Sequence, residues 1–195
     1  MDKQTILVTG TPCVGKTTIS KCLAADLDAL YVNLTKLAKQ EKLALKRDQK
    51  RKTTIIDEAR MRRKLKEIMR TTKKPIIVID GHYASAVTPK NAVAKVFVLR
   101  RNPVELKKLM EENGFRGPKL WENLASEILD VCLVEALRTH EKEKVCEMDI
   151  TGQKVADVVR NILAVLQDHK ECTVGRIDWL GTLETQGILE EYLRT

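Results

Sequence analysis

The chain has 195 residues, of which 43% are hydrophobic and 32% charged, and it carries a net charge of +8. That length holds one α/β domain with a full core and leaves little room for a second, and the composition excludes wholesale disorder. No apolar run approaches the roughly 18 residues that cross a bilayer, so a helical membrane protein is excluded as well.

The first residues run into a strand-like stretch with neither the basic region nor the cleavage site of a secretory signal, so the expected address is cytoplasmic. Residues 5–9 are a short β-branched apolar run ending in a glycine loop, and residues 16–27 follow with Ile19, Leu23 and Leu27 at helical spacing. Residues 29–32 predict a second strand, with Asn33 as N-cap of a helix over about 34–45. Residues 46–54 are charged and unpatterned and read as a loop, before an amphipathic helix over 56–70 with a broad polar face. After Pro75, residues 76–80 form the continuous apolar run of a strand buried on both faces, and residues 96–99 form another. Asn102 and Pro103 open a helix that Gly114 ends. One long helix over 118–140, a strand over 145–149, a helix over 154–167 and a last helix near 187–193 complete the chain. Five strands alternating with helices predict a parallel sheet covered on both faces, with ligands at the carboxyl ends of the strands.

Five cysteines, Cys13, Cys22, Cys132, Cys146 and Cys172, include no Cys-x-x-Cys pair, and neither structural zinc nor a disulfide framework is expected. The charge is concentrated: residues 36–74 hold sixteen Lys and Arg against five Asp and Glu. Such a segment suits phosphates or nucleic acid, or is simply a solvated helical face.

The chemistry lies in Gly10-Thr11-Pro12-Cys13-Val14-Gly15-Lys16-Thr17, a Gly-x4-Gly-Lys-Thr loop between strand and helix. There, backbone N–H groups and the positive helix end hold phosphate oxygens, Lys16 adds a point charge, and the Thr17 hydroxyl suits Mg²⁺. Cys13 is either an unusually reactive thiol or a small residue that fits. Asp80 ends the most apolar strand on the side where a Mg²⁺ carboxylate belongs, and His82 either orients a water near the terminal phosphate or is an ordinary loop histidine. Phosphoryl transfer to an anionic acceptor needs cations more than a strong base, which points to Arg100 and Arg101 after a strand and to Arg116 in a Gly-Phe-Arg-Gly loop suited to a lid. Each of these arginines could equally be a surface cation.

The Gly-Thr-Pro-x-x-Gly-Lys-Thr-Thr loop, Ile-Asp-Gly-His at 79–82, Leu-Arg-Arg-Asn-Pro at 99–103, Glu-Asn at 122–123 with Glu127, and the late Ile-Asp-Trp-Leu together resemble the adenylate kinase isoenzyme 6 family in its archaeal form, over about residues 4–180. The resemblance implies an α/β P-loop fold of adenylate kinase type, with one domain over 1–183, a monophosphate region over 33–57, a short lid over 113–123 and an extension over 184–195. It implies Mg²⁺-dependent transfer from ATP to AMP giving two ADP, and an ATPase activity involving Asp80 and His82. By position, Cys13, Val14, Gly15, Lys16, Thr17 and Thr18 would hold the ATP phosphates and Gln153 would border the adenine. It also implies a role in small ribosomal subunit maturation through a ribosomal protein; the basic segment 36–74 is more basic than the resemblance leads one to expect and favours rRNA or a ribonucleoprotein as a partner. Asn113 departs from the pattern, standing where the family lid carries an arginine that contacts ATP, so Arg116 would have to substitute. Two other readings stay open: an ATP-switched ribosome assembly factor with little kinase activity, and a kinase for another nucleoside monophosphate.

Overall fold

The computed structural model describes residues 3–48 and 53–193, with no side-chain detail over 45–55. Its centre is a five-stranded parallel sheet of β1 (Gln4–Thr9), β2 (Leu30–Asn33), β5 (Ile76–Asp80), β6 (Val93–Arg100) and β7 (Val145–Asp149), in the order β2-β5-β1-β6-β7. The fold class is the expected α/β P-loop architecture. The register aligns Val8 and Asn33 with Asp80, and Arg100 with Asp149, so the chemistry-bearing side chains share one edge of the sheet.

Alternation along the strands divides the core into two layers. Ile6, Val8, Val78, Phe97 and Leu99 pack with α1 (Lys16–Asp26), α5 (Pro103–Glu112), α6 (Pro118–Ile128) and α8 (Val155–Leu166). Leu7, Ile77, Ile79, Val96 and Val98 pack on the other face with α2 (Leu34–Gln40), α3 (Glu58–Thr71), α4 (Ala84–Val87) and α7 (Val131–Thr139). Fully burying one such side chain contributes about 1.5–3 kcal/mol, which is why the apolar runs specify the strands so strongly.

Four expectations change. The helix after Asn33 stops at Gln40, and the segment read as a loop holds an antiparallel hairpin, β3 (Ala44–Asp48) with β4 (Thr53–Ile56); residues 49–52 lie outside the described residues. Thr53, Thr54, Ile55 and Ile56 are four branched residues in a row, a strand signal obscured by the charges before them. The long helix over 118–140 is two helices, broken at Asp130, which adopts φ 56°. Aspartate tolerates that left-handed conformation, and here its carboxylate reaches Arg100 Nη2 at 2.5 Å. Finally, Cys146 and Cys172 form a disulfide, with Cα atoms 4.9 Å apart, where none was expected. The segment before Gly175 runs beside β7, with Glu147 N–H donating to the Thr173 carbonyl at 2.9 Å, and this brings two cysteines distant in sequence together.

The tail is folded in. Trp179, Leu183 and Tyr192, from α9 (Trp179–Thr185) and α10 (Leu189–Tyr192), are buried against the α6 side. Among the described residues no helix is long and apolar enough to cross a membrane.

Candidate active site

The loop between β1 and α1 forms a cradle. Gly10 stands at φ 138°, and a Cβ there would lie 2.4 Å from the Leu99 carbonyl oxygen, so only glycine lets the chain leave β1 against β6. Gly15, at φ 116°, begins α1 without a side-chain cap, which leaves the first N–H groups for an anion. The Lys16 ammonium folds back onto the carbonyls of Gly10 and Thr11, each at 2.7 Å, and is held over the hollow. Burial pushes its pKa below the usual lysine value, with Cys132, Asp80, Glu127 and Cys13 opposing the change. Thr17 and Thr18 are exposed at the start of α1, whereas the Val14 side chain is buried in the core and can offer only backbone to a ligand.

Cys13 adopts φ 64°, a conformation that favours glycine, and burial raises its thiol pKa against the lowering effect of Lys16. The thiol is therefore held protonated, which fits a small residue better than a reactive one. Cys13→Gly relieves left-handed strain of about 1–2 kcal/mol and loosens the unfolded chain by less than that. A net gain of about 0.5–1 kcal/mol is expected in urea unfolding, and a loss would show that thiol packing dominates.

Asp80 is almost fully buried at the tip of β5, and strand alternation turns it with Val78 toward α1. Its Oδ2 accepts from the Thr17 hydroxyl at 3.0 Å, the Tyr31 hydroxyl at 2.6 Å and Asn33 Nδ2 at 2.9 Å. Burial, followed by the hydrogen bond and charge of Asp80, pushes the Tyr31 phenol up to about 12. Asn33 also caps α2, its Oδ1 accepting from Lys36 N–H at 2.8 Å. The structure thus brings Thr17 and Asp80 together, and adds Tyr31 and Asn33, which sequence reasoning did not single out as site residues. Their signal was positional: the second strand ends level with Asp80 in a parallel sheet. The hydroxyl and carboxylate are the hard oxygen donors that Mg²⁺ takes alongside water and phosphate, so the residues fit that ion.

His82 lies on the cleft surface, its carbonyl accepting from the Thr9 hydroxyl at 3.2 Å. Crowding by protein, then the charges of Lys16 and Lys119, lowers its pKa to about 4, although water in the open cleft tempers the first of these causes. The imidazole is therefore neutral at pH 7.

The arginines separate. Arg100 is 1% exposed and does not face the cradle: Nε meets Glu127 Oε1 at 2.9 Å, Nη1 meets Glu147 Oε1 at 2.5 Å, and Nη2 meets Asp130. The expectation that it reaches substrate is replaced by a structural role. Arg101 stays beside the cradle, Nε donating to the Val14 carbonyl at 3.3 Å and Nη1 pairing with Glu105. Arg116 is exposed and turns its Nη1 to the carbonyls of Glu111 and Phe115, capping the end of α5 instead of entering the cleft. Gln153 lies on the 149–153 turn and donates to the Asp149 carbonyl; Gly152 N–H donates to Glu105 Oε2 at 3.1 Å, tying that turn to the Arg101 side.

Glu127 joins these parts. It accepts from the Thr11 hydroxyl, from Arg101 N–H at 3.1 Å and from Trp179 Nε1 at 3.2 Å, besides Arg100.

A parallel sheet with this cradle between its first strand and first helix, and a carboxylate at the tip of the neighbouring strand, defines a P-loop protein of the small-kinase fold. Residues 6–130 match the family model described as AAA domain. The chain is 36% identical over 174 residues to a protein of Methanocaldococcus jannaschii named "Putative adenylate kinase", covering 89% of this chain and 92% of that one. It is 37% identical over 186 residues to a protein of the same name from Saccharolobus solfataricus, covering 95% and 92%. A gluconokinase from Sinorhizobium meliloti 1021 shares the fold, with a TM-score of 0.57 at 16% identity over 86% of this chain and 94% of that one. The chain belongs to the adenylate kinase-like family of P-loop proteins represented by these archaeal relatives.

Proposed function

We propose that the protein is a Mg²⁺-dependent nucleoside monophosphate kinase that transfers the terminal phosphoryl group of ATP to AMP, giving two ADP, with an associated ATPase activity. The observation that carries this reading is the convergence of Thr17, Tyr31 and Asn33 on one Asp80 oxygen at the mouth of a cradle already holding Lys16. The relatives' name supports the acceptor.

The first turn of α1 and the loop N–H groups hold the donor phosphates, and Lys16 follows the negative charge as it moves toward the leaving oxygen. Thr17 and Asp80 would hold Mg²⁺, which would supply positive charge to offset that of the phosphates. Asp80 orients the Thr17 hydroxyl and is itself fixed by Tyr31 and Asn33, so the donor side of the site is arranged before substrate arrives. Arg101 borders the cradle from β6. A neutral His82 accepts a hydrogen bond from water without adding positive charge, and this supports the hydrolytic side reaction.

The test is ADP formation from ATP and Mg²⁺, with and without AMP, by wild type and Lys16→Ala. AMP-dependent turnover that falls by about 10²-fold or more in the variant is expected. Turnover indifferent to AMP would sink the kinase reading and favour the assembly-factor alternative. That second reading draws on α3, where Arg60, Arg62, Arg63, Lys66 and Arg70 crowd one exposed side, a surface suited to rRNA or a ribonucleoprotein of the small subunit.

A further inference from the structure

We infer that Lys119 is the cation that closes the phosphate site opposite Lys16, with Asn123 beside it as a hydrogen-bond donor to the same anion. This inference rests on the kinase reading and names a positioning device within it.

The geometry begins at Glu127, whose bonds to Thr11 and Arg101 press one face of α6 onto the cradle. Residues four apart share a helix face, so Asn123 and Lys119 continue the Glu127 stripe toward the mouth of the site, over about 12 Å of helix. Asn123 is 7% exposed, and its Nδ2 is a buried donor with no partner among the described residues. A buried amide left unpaired costs about 1–3 kcal/mol, so it is expected to be satisfied in the working state, and an anion drawn in beside it does this. Lys119 follows in the first turn of α6, half-buried, its ammonium paired only loosely with Glu122 at 3.4 Å. Such a half-exposed pair contributes little and gives way readily to a phosphate.

Two further observations agree. The charges of Lys119 and Lys16 both reach the His82 imidazole, so the two ammonium groups act on the same part of the site. Arg116 is occupied at the end of α5 and leaves the role of lid cation unfilled. Gly114 and Gly117 flank that turn at φ 82° and φ 57°, conformations that favour glycine, and a Cβ on either would meet nothing within 4 Å.

Three variants test this: Lys119→Ala, Lys119→Arg and, as control, Lys108→Ala, an exposed cation on neighbouring α5. Lys119→Ala is expected to lower kcat for ADP formation at least about 10-fold with little change in thermal midpoint, Lys119→Arg to recover most of it, and Lys108→Ala to match wild type. The second readout is the rise in melting temperature on adding MgATP, which Lys119→Ala is expected to diminish and Lys108→Ala to leave unchanged. Lys119→Ala with wild-type kcat, or with an undiminished MgATP rise, overturns the inference. If wild type itself makes no ADP, the kinase reading has failed separately, and the rise in melting temperature on adding MgATP decides: the inference stands only if Lys119→Ala diminishes that rise.

Discussion

Arg100→Met is expected to destabilise the fold by about 3–5 kcal/mol, the loss typical when one partner of a buried ion pair is removed. Among the described residues Arg100 is the guanidinium that pairs with both Glu127 and Glu147, and the side chains of both acids are as buried as its own, at 1% exposed. Burial alone already drives the Glu147 carboxyl pKa upward, and the Arg100 charge and the N–H groups of Gly175 and Arg176 pull it back. Without the arginine, two carboxylates must protonate or admit water. The same substitution also removes the Nη2 bond to Asp130, the contact that holds the left-handed break between α6 and α7. A fall in thermal midpoint of roughly 6–20 °C follows for a chain of this size. Adding Glu147→Gln to Arg100→Met should restore part of the loss. A single variant within 1 kcal/mol of wild type in urea unfolding would show that the network is not a stabilising centre.

Asp80→Asn is expected to lower ADP formation by about 10²-fold or more while the protein stays folded. The change keeps shape and one acceptor oxygen for Tyr31 and Thr17, but it removes the charge opposite Lys16 and the carboxylate suited to Mg²⁺. A second signature separates this from general damage: with the Asp80 charge gone, the Tyr31 phenol, held near 12, should ionise at lower pH in an ultraviolet titration. Turnover within a few-fold of wild type would remove Asp80 from the reaction.

The parts of the fold legible in the sequence are those specified locally. Residues 76–80 and 145–149 are continuous strand signals with unambiguous ends, and the glycine loop sits where its strand and helix put it. The α6–α7 break was not legible, because the partner of Asp130 in its left-handed turn is an arginine thirty residues earlier. The roles of Arg100 and Arg101 were hidden by their adjacency, although alternation held the clue: Val96, Val98 and Arg100 point to one layer, and Phe97, Leu99 and Arg101 to the other. Tyr31 and Asn33 were invisible as site residues because their partner lies nearly fifty residues away, and nothing in the residues around Arg116 showed that its guanidinium turns back to the carbonyls at the end of α5.

The position of Trp179 bears on how the chain is made. Glu127 supports the cradle through Thr11, yet one of its donors is the indole of Trp179, and Glu147 takes two more from the backbone of Gly175 and Arg176. During synthesis the cradle residues emerge well before the groups that complete the polar wall behind them. Until those arrive, a nascent chain holds two acids that lack part of their neutralising shell, so the nucleotide site is finished only long after its signature motif has been made.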